Sequence, residues 1–319
     1  MILAGIDEAG YGPLLGPLVV SATLFEIPDD RADESLWETL RDSVTNVVRK
    51  RDPRLAIADS KKLYTRGQGL NHLERAALCS LMVGGFRPRS FRELLDHLSP
   101  GTTDAARGYP WYARLDTPLP VCCRSTDLAT QCNAVRRSLS ASGGRFLGAM
   151  SEPLLEGHYN RLVDKTRNKS VVLLGLTLRL IQRVAQAYPG RPVRFYIDRQ
   201  GGRTAYARWL MMGFEDYDLK ILEESADRSA YRMTRRPAEW RVEFAKSGER
   251  HHLPVALASI FCKYIRELFM HAFNCYWQQH LPDLKPTAGY YTDGQRFLGD
   301  VQAHLERLGI DRSMLVRQI

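Results

Sequence analysis

Residues 2–7, Ile-Leu-Ala-Gly-Ile-Asp, form an apolar run that ends in a carboxylate, and the chain turns back almost at once. Gly10, Gly12, Pro13, Gly16 and Pro17 crowd the turn, and a second apolar run, Leu-Val-Val-Ser-Ala-Thr-Leu-Phe, fills 18–25. Two strands joined by so tight a connection read as an antiparallel hairpin. Residues 193–198, Val-Arg-Phe-Tyr-Ile-Asp, read as another strand ending in an acid. Amphipathic helical patterns lie between the strands. An opening hairpin in a chain of mixed strands and helices predicts an α/β fold with a mixed central sheet flanked by helices.

Periodicity predicts helices over 33–51, 71–83, 153–165, 169–188, 203–212, 253–279 and 293–308. The helix at 169–188 carries Leu173, Leu176, Leu180 and Val184 on one face. Strands are expected at 145–150 and within 218–244, around a basic turn with Arg228, Arg232, Arg235 and Arg236. Residues 97–144 hold SPGTTDAARGYP, TPLP and SASGG with poor periodicity, and read as an insert ordered in part by Tyr109, Trp111 and Tyr112. The expected division is a domain over 1–252, with that insert, and a helical C-terminal part over 253–319.

The 319 residues carry 45 Lys and Arg against 36 Asp and Glu, a net charge of +9. Only nine of the basic residues are Lys, and an Arg-dominated surface suits phosphate ligands, which the guanidinium fork binds. No apolar run reaches the ~18 residues of a membrane span, so no membrane association is expected. The N-terminus has no basic leader and the six cysteines form no CxxC pair, so a cytoplasmic protein with reduced thiols is expected. Cys122, Cys123 and Cys132 cluster without a nearby His or fourth Cys to complete a zinc site. No phosphate-binding P-loop, dinucleotide fingerprint or Ser/His/Asp order is present.

That leaves the acids. In α/β sheets chemistry gathers at the carboxyl ends of the strands, where Asp7-Glu8 and Asp198 stand. Gly10 and Gly12 would let the backbone approach a ligand closely.

The segment Gly5-Ile6-Asp7-Glu8-Ala9-Gly10-Tyr11-Gly12-Pro13-Leu14-Leu15-Gly16-Pro17 resembles the opening motif of the type 2 ribonuclease H family, the ribonucleases HII and HIII. Four further pieces follow in that family's order. Asp59-Ser60-Lys61-Lys62-Leu63 is similar to its DSKxL motif, and Tyr196-Ile197-Asp198 to the strand of its third acid. Glu249, ten residues before Ser259 in Ala258-Ser259-Ile260-Phe261-Cys262-Lys263, resembles the fourth acid and its helix. Gly289-Tyr290-Tyr291-Thr292-Asp293 is similar to a Gly-Tyr segment near the family's C-terminus.

The resemblance implies a ribonuclease H-like fold in which 1–252 is the catalytic domain and 253–319 completes the substrate cleft. It implies a monomeric, metal-dependent endoribonuclease that hydrolyses the RNA strand of RNA/DNA hybrids, or acts on ribonucleotide-containing DNA, leaving 5′-phosphate and 3′-hydroxyl ends. Asp7, Glu8, Asp198 and Glu249 would be catalytic and hold Mg²⁺ or Mn²⁺ in a two-metal site. Gly10, Tyr11, Gly12, Ser60, Lys61, Lys62 and Tyr290 would contact substrate. Such chemistry suits these residue types: hard divalent ions take carboxylate oxygens, and paired ions stabilise both attacking and leaving oxygens. Glu267 is a weaker candidate for the fourth acid, and His252 reads as structural rather than as a metal ligand.

Two departures bear on specificity. Most ribonucleases HII carry Gly-Arg-Gly where this chain has Gly10-Tyr11-Gly12, and Tyr lacks the charged fork of Arg. The fourth acid is Glu, which resembles ribonuclease HIII. The rival readings are a non-catalytic nucleic-acid-binding relative and a metal-dependent nuclease on another substrate, such as DNA.

Overall fold

The computed structural model describes residues 1–49, 52–64 and 69–318. β1 (Ile2–Ala9) and β2 (Leu18–Glu26) form the expected hairpin, with Asp7 opposite Ser21. The predicted helix over 33–51 is not formed among its described residues. A short helix α1 (Leu36–Thr39) gives way to β3 (Val44–Thr45), which pairs in parallel with β4 (Leu55–Ala56). The β-branched Val44, Thr45, Val47 and Val48 favour extended chain here. Then come α2 (Ser60–Leu63) and α3 (Asn71–Val83).

The 97–144 region is more regular than its composition suggests. Around α4 (Phe91–Leu98) and α5 (Thr102–Ala106), the chain reaches α6 (Ser125–Ala141), which buries Leu128, Cys132, Val135 and Leu139. That stripe is helical in spacing but narrow, set in Ser, Thr and Asn. Glu74 of α3 anchors the lead-in: its carboxylate accepts the N–H groups of Val121, Cys122 and Cys123 at 2.6–2.8 Å, and the Tyr264 hydroxyl at 2.9 Å.

β5 (Arg145–Leu154) runs four residues beyond its expected end, so α7 starts late, at Glu156–Thr166. α8 (Lys169–Ala187) is capped by the Asn168 side chain, which accepts from the Ser170 N–H. By length and composition α8 is apolar enough to cross a membrane, contrary to expectation. Its apolar face, Val172, Leu173, Leu176, Leu180, Ile181 and Val184, is instead buried in the core. β6 (Val193–Asp198) and α9 (Ala207–Gly213) lead to three antiparallel strands, β7 (Asp218–Glu224), β8 (Arg228–Arg235) and β9 (Ala238–Ala245). α10 (Gly248–His251), α11 (Leu253–His280), α12 (Tyr291–Arg307) and α13 (Arg312–Leu315) finish the chain.

The main sheet has seven strands in the order β5-β2-β1-β6-β9-β8-β7. β1, β6 and β9 are parallel neighbours and the rest pair antiparallel, so the mixed sheet flanked by helices is borne out. Ile2, Ala4 and Ile6 face the layer of α8, while Leu3 faces α11 and the insert helices. α11 lies so close to β1 that a Cβ on Gly5 would sit 2.1 Å from the Pro254 carbonyl carbon. Thr23 Oγ1 donates to the Pro254 oxygen at 2.7 Å, fixing the helix start.

Candidate active site

Three adjacent parallel strands bring their carboxyl ends to one edge. Ile6 is level with Ile197, which places Asp7 beside Asp198, and Asp198 is level with Ala245 at the end of β9. From Ala245 a short turn reaches Glu249 in the first turn of α10. Ser247 takes φ +57° there, and the Gly248 N–H donates to Asp198 Oδ1 at 2.9 Å. A Cβ on Gly248 would lie 3.6 Å from the Asp198 backbone, so the turn sits directly on the strand end.

Asp7, Glu8 and Asp198 are each perturbed by other acids of this set. Burial, then the negative charges of Glu8, Asp198 and Glu249, raise the Asp7 carboxyl well above its ordinary range; only the Glu8 N–H, at 2.7 Å, opposes them. Burial and Asp198 push Glu8 up to about 8, with Lys61 pulling the other way. Burial lifts Asp198 to about 6, joined by the Glu249 charge and opposed by the Gly248 N–H. Like charges crowded out of water resist ionising together.

A divalent cation fits this donor set. All four candidates are carboxylates, the ligands hard cations prefer, and their mutual repulsion is what a bound cation would relieve. Among the described residues no three acidic, His or Cys side chains are already arranged as a metal cage.

Glu267 belongs elsewhere. It accepts the Tyr64 hydroxyl at 2.9 Å and pairs with Lys263 at 2.5 Å and with Arg266. His252 stacks on Tyr196, ring centroids 3.8 Å apart, and stands 3.8 Å from Glu243. Both are occupied by structural partners. Arg228, Arg232 and Arg235 of the expected basic turn pair with Glu243, Glu239 and Asp216.

The expected substrate contacts are in different states, with Lys61 and Tyr11 near Glu8. Asp59 caps α2 by accepting the Lys61 N–H, and the Lys61 and Lys62 side chains are exposed. Ser60 is buried, and its N–H donates to Ser259 Oγ at 3.3 Å, tying the loop to α11. Tyr11 is partly buried close to Glu8, with the Lys169 ammonium 5.3 Å from its ring centroid. Gly12 is open to solvent, whereas Gly10, at φ +84°, has no room for a Cβ against the Pro17 oxygen at 2.5 Å. Tyr290 is exposed at the start of α12, and the neighbouring Gly289 carbonyl accepts the Leu14 and Leu15 N–H groups.

Residues absent from the motifs hold this loop from beneath. Arg266, buried, donates to the Leu15 and Ala288 oxygens at 3.0 and 3.1 Å. Arg317, also buried, donates to the Gly10 and Tyr11 oxygens and lies 4.1 Å over the Tyr159 ring. Glu156, pushed up to about 7 by burial, accepts the Tyr112 hydroxyl in the same layer. No local pattern marks them: isolated Arg in helices and tails reads as surface charge.

No family model and no curated protein matches the chain. Solved structures are similar to it at low identity. The PCNA:RNase HII complex from Archaeoglobus fulgidus gives a TM-score of 0.45 at 14% identity, covering 100% of this chain and 94% of that one. Ribonuclease H2 from Pyrococcus horikoshii gives 0.44 at 14%, covering 99% and 92%. Bst-RNase HIII in complex with Mn²⁺ gives 0.44 at 15%, covering 100% of this chain and 66% of its own.

Proposed function

We propose that this protein is a divalent-metal-dependent endoribonuclease that cuts the RNA strand of RNA/DNA hybrids, leaving 5′-phosphate and 3′-hydroxyl ends. The observation that carries the reading is the convergence of Asp7, Glu8, Asp198 and Glu249 at one sheet edge, where the charges of Glu8, Asp198 and Glu249 raise the Asp7 carboxyl and those of Asp198 and Glu249 raise Glu8. In the proposal these four carboxylates hold Mg²⁺ or Mn²⁺, which would supply positive charge at the phosphoryl oxygens and an activated water.

The chain's own residues do the rest. Lys61 is close enough to Glu8 to lower its pKa, so its ammonium is placed to take a phosphate beside the acids. Lys62 adds a second exposed cation on the same short helix. Tyr11 presents a ring and one hydroxyl at the rim, with the Lys169 charge behind it. The glycine-rich loop exposes Gly12, where backbone can meet the sugar–phosphate chain without a side chain between.

Three labelled duplexes with Mg²⁺ or Mn²⁺ test the reading: a continuous hybrid, DNA with one embedded ribonucleotide, and all-DNA. Cleavage of the hybrid that chelator abolishes is expected. Cleavage of all-DNA alone would move the activity to another substrate, and tight hybrid binding without cleavage would mark a non-catalytic relative.

A further inference from the structure

We infer that a row of four cations on the exposed face of the main sheet holds the sugar–phosphate backbone of a nucleic acid as it leaves the acidic site; the choice of partner rests on the ribonuclease reading. The register of four adjacent strands sets the row. Arg194 of β6 is level with Arg241 of β9, Arg241 with Arg232 of β8, and Arg232 with Lys220 of β7. Residues directly opposite on paired strands share a face, and strands lie about 4.8 Å apart, so the four charges cross the sheet in a line of about 14 Å. Their sequence neighbours Phe195, Val242, Tyr231 and Met233 point the other way and are buried in the core on the α8 side.

Like charges set directly opposite one another repel, so the row destabilises the sheet unless negative charge offsets it. The chain supplies only part of that charge. Arg194 pairs with Asp33, and Arg232 reaches Glu239 at 3.8 Å, both acids being exposed. Glu243 and Glu223, one row nearer the acidic site, are taken by Arg228. Arg241 and Lys220 are exposed and have no ion-pair partner among the described residues. A nucleic-acid strand, with a charge every 3.4 Å or so of axis, offers the line of negative charge that the row lacks. The row also faces the acids. Arg194 and Asp198 share one face of β6, four residues apart, which is about 13 Å or about four base pairs of duplex. At that end Arg194 and Arg241 line a cleft of about 310 Å³ with His251, His252 and the first turn of α11, whose free N–H groups add positive potential. Asp33 and Glu243 in the cleft wall are already paired.

The test uses a labelled duplex with RNA/DNA hybrid at its centre and DNA flanks long enough to span both the acids and the row. Binding to the full chain is read by fluorescence anisotropy in chelator at several salt concentrations. Lys220→Gln, Arg232→Gln and Arg241→Gln together should flatten the log–log salt slope by about two units and lower affinity about tenfold. Their melting temperature should hold or rise, because facing like charges are relieved. Arg107→Gln, Arg124→Gln and Arg137→Gln together remove the same charge at exposed positions of the insert, and should change the slope by less than about one unit. Equal losses in the two triple variants would overturn the inference by reducing the row to net charge. Unchanged binding in the row variant would overturn it too, and a wild-type dimer that the row variant alone dissociates would then assign the row to a second copy of the chain. Because binding is read in chelator, absence of cleavage with row-dependent binding intact would overturn the ribonuclease reading alone.

Discussion

Arg317 Nη2 donates to the Tyr11 carbonyl oxygen at 3.0 Å, across 306 positions of sequence, so the turn that follows the first two acids is held by a residue near the other end of the chain. Its Nη1 donates to the Gly10 oxygen as well. Arg317→Met keeps the bulk and removes the charged donors, leaving the part-buried Gly10 and Tyr11 carbonyls without this partner. It should cost about 3 kcal/mol of stability. Chemical denaturation measures that loss, and raised hydrogen exchange at the Leu14 amide, which donates to the Gly289 oxygen, should accompany it.

Glu249 and Glu267 should separate cleanly. Glu249→Gln removes an acid from the cluster and should lower hybrid cleavage by about 10²-fold or more while the melting temperature holds. Glu267→Gln weakens the ties to Tyr64, Lys263 and Arg266. It should lower the melting temperature and leave turnover per folded molecule nearly intact. Parallel kinetics and melting curves decide, and the reverse pattern would put the fourth acid at 267.

The acids also set a pH dependence. Asp7, Glu8 and Asp198 have carboxyl pKa values raised in the folded state, with Glu8 at about 8 and Asp198 at about 6. From about pH 4 to pH 8 the folded chain therefore holds more protons than the unfolded one, so this contribution to stability falls as pH rises. In chelator, the melting temperature should decline across that window more steeply for wild type than for Asp7→Asn. Millimolar Mg²⁺ or Mn²⁺ should raise the wild-type melting temperature most at the upper end. A wild-type profile as flat as the variant's would mean the acids do not share a site.

Lys61 and Lys62 should be visible in salt. Hybrid affinity should fall log-linearly with salt concentration, because each neutralised phosphate releases counterions. Replacing both lysines by Ala should flatten the slope by about one or two units. An unchanged slope would assign the basic balance to surface composition.

Tyr11 bears on substrate choice. With a ring and a hydroxyl in place of a charged fork, less recognition rests on one junction, so a continuous hybrid should be cut at least as well as DNA with one ribonucleotide. Tyr11→Arg should shift preference toward the single ribonucleotide, and Tyr11→Ala should weaken both. Specific activities on the two duplexes, measured side by side, decide it.

The acid-bearing strands were legible because their signal is local: an apolar run, then a carboxylate. Asp7, Glu8 and Asp198 stand at strand ends as that pattern suggests, and the ten-residue spacing leads to Glu249 in the next turn. Other features act at a distance and leave no local trace. Glu74 satisfies three backbone N–H groups more than forty positions away, and in the sequence it is one more helical charge. Helical patterning over 33–51 does not register that β-branched residues draw 44–45 into a strand. α6 was hidden because Ser, Thr and Asn dilute its single apolar stripe.

The Ser60–Ser259 contact and the fit of Gly5 under Pro254 constrain where this chain can lengthen. One residue added between Pro254 and Ser259 would turn the rest of the helix by about 100° and pull its serine away from the lysine loop. Deleting one would do the same in the opposite sense. Between the acids and that serine the sequence is therefore intolerant of insertion, much as a keyed shaft tolerates no slip. The long segments at 97–144 and 199–245 both lie before that locked stretch in the chain, and neither interrupts the spacing from Pro254 to Ser259.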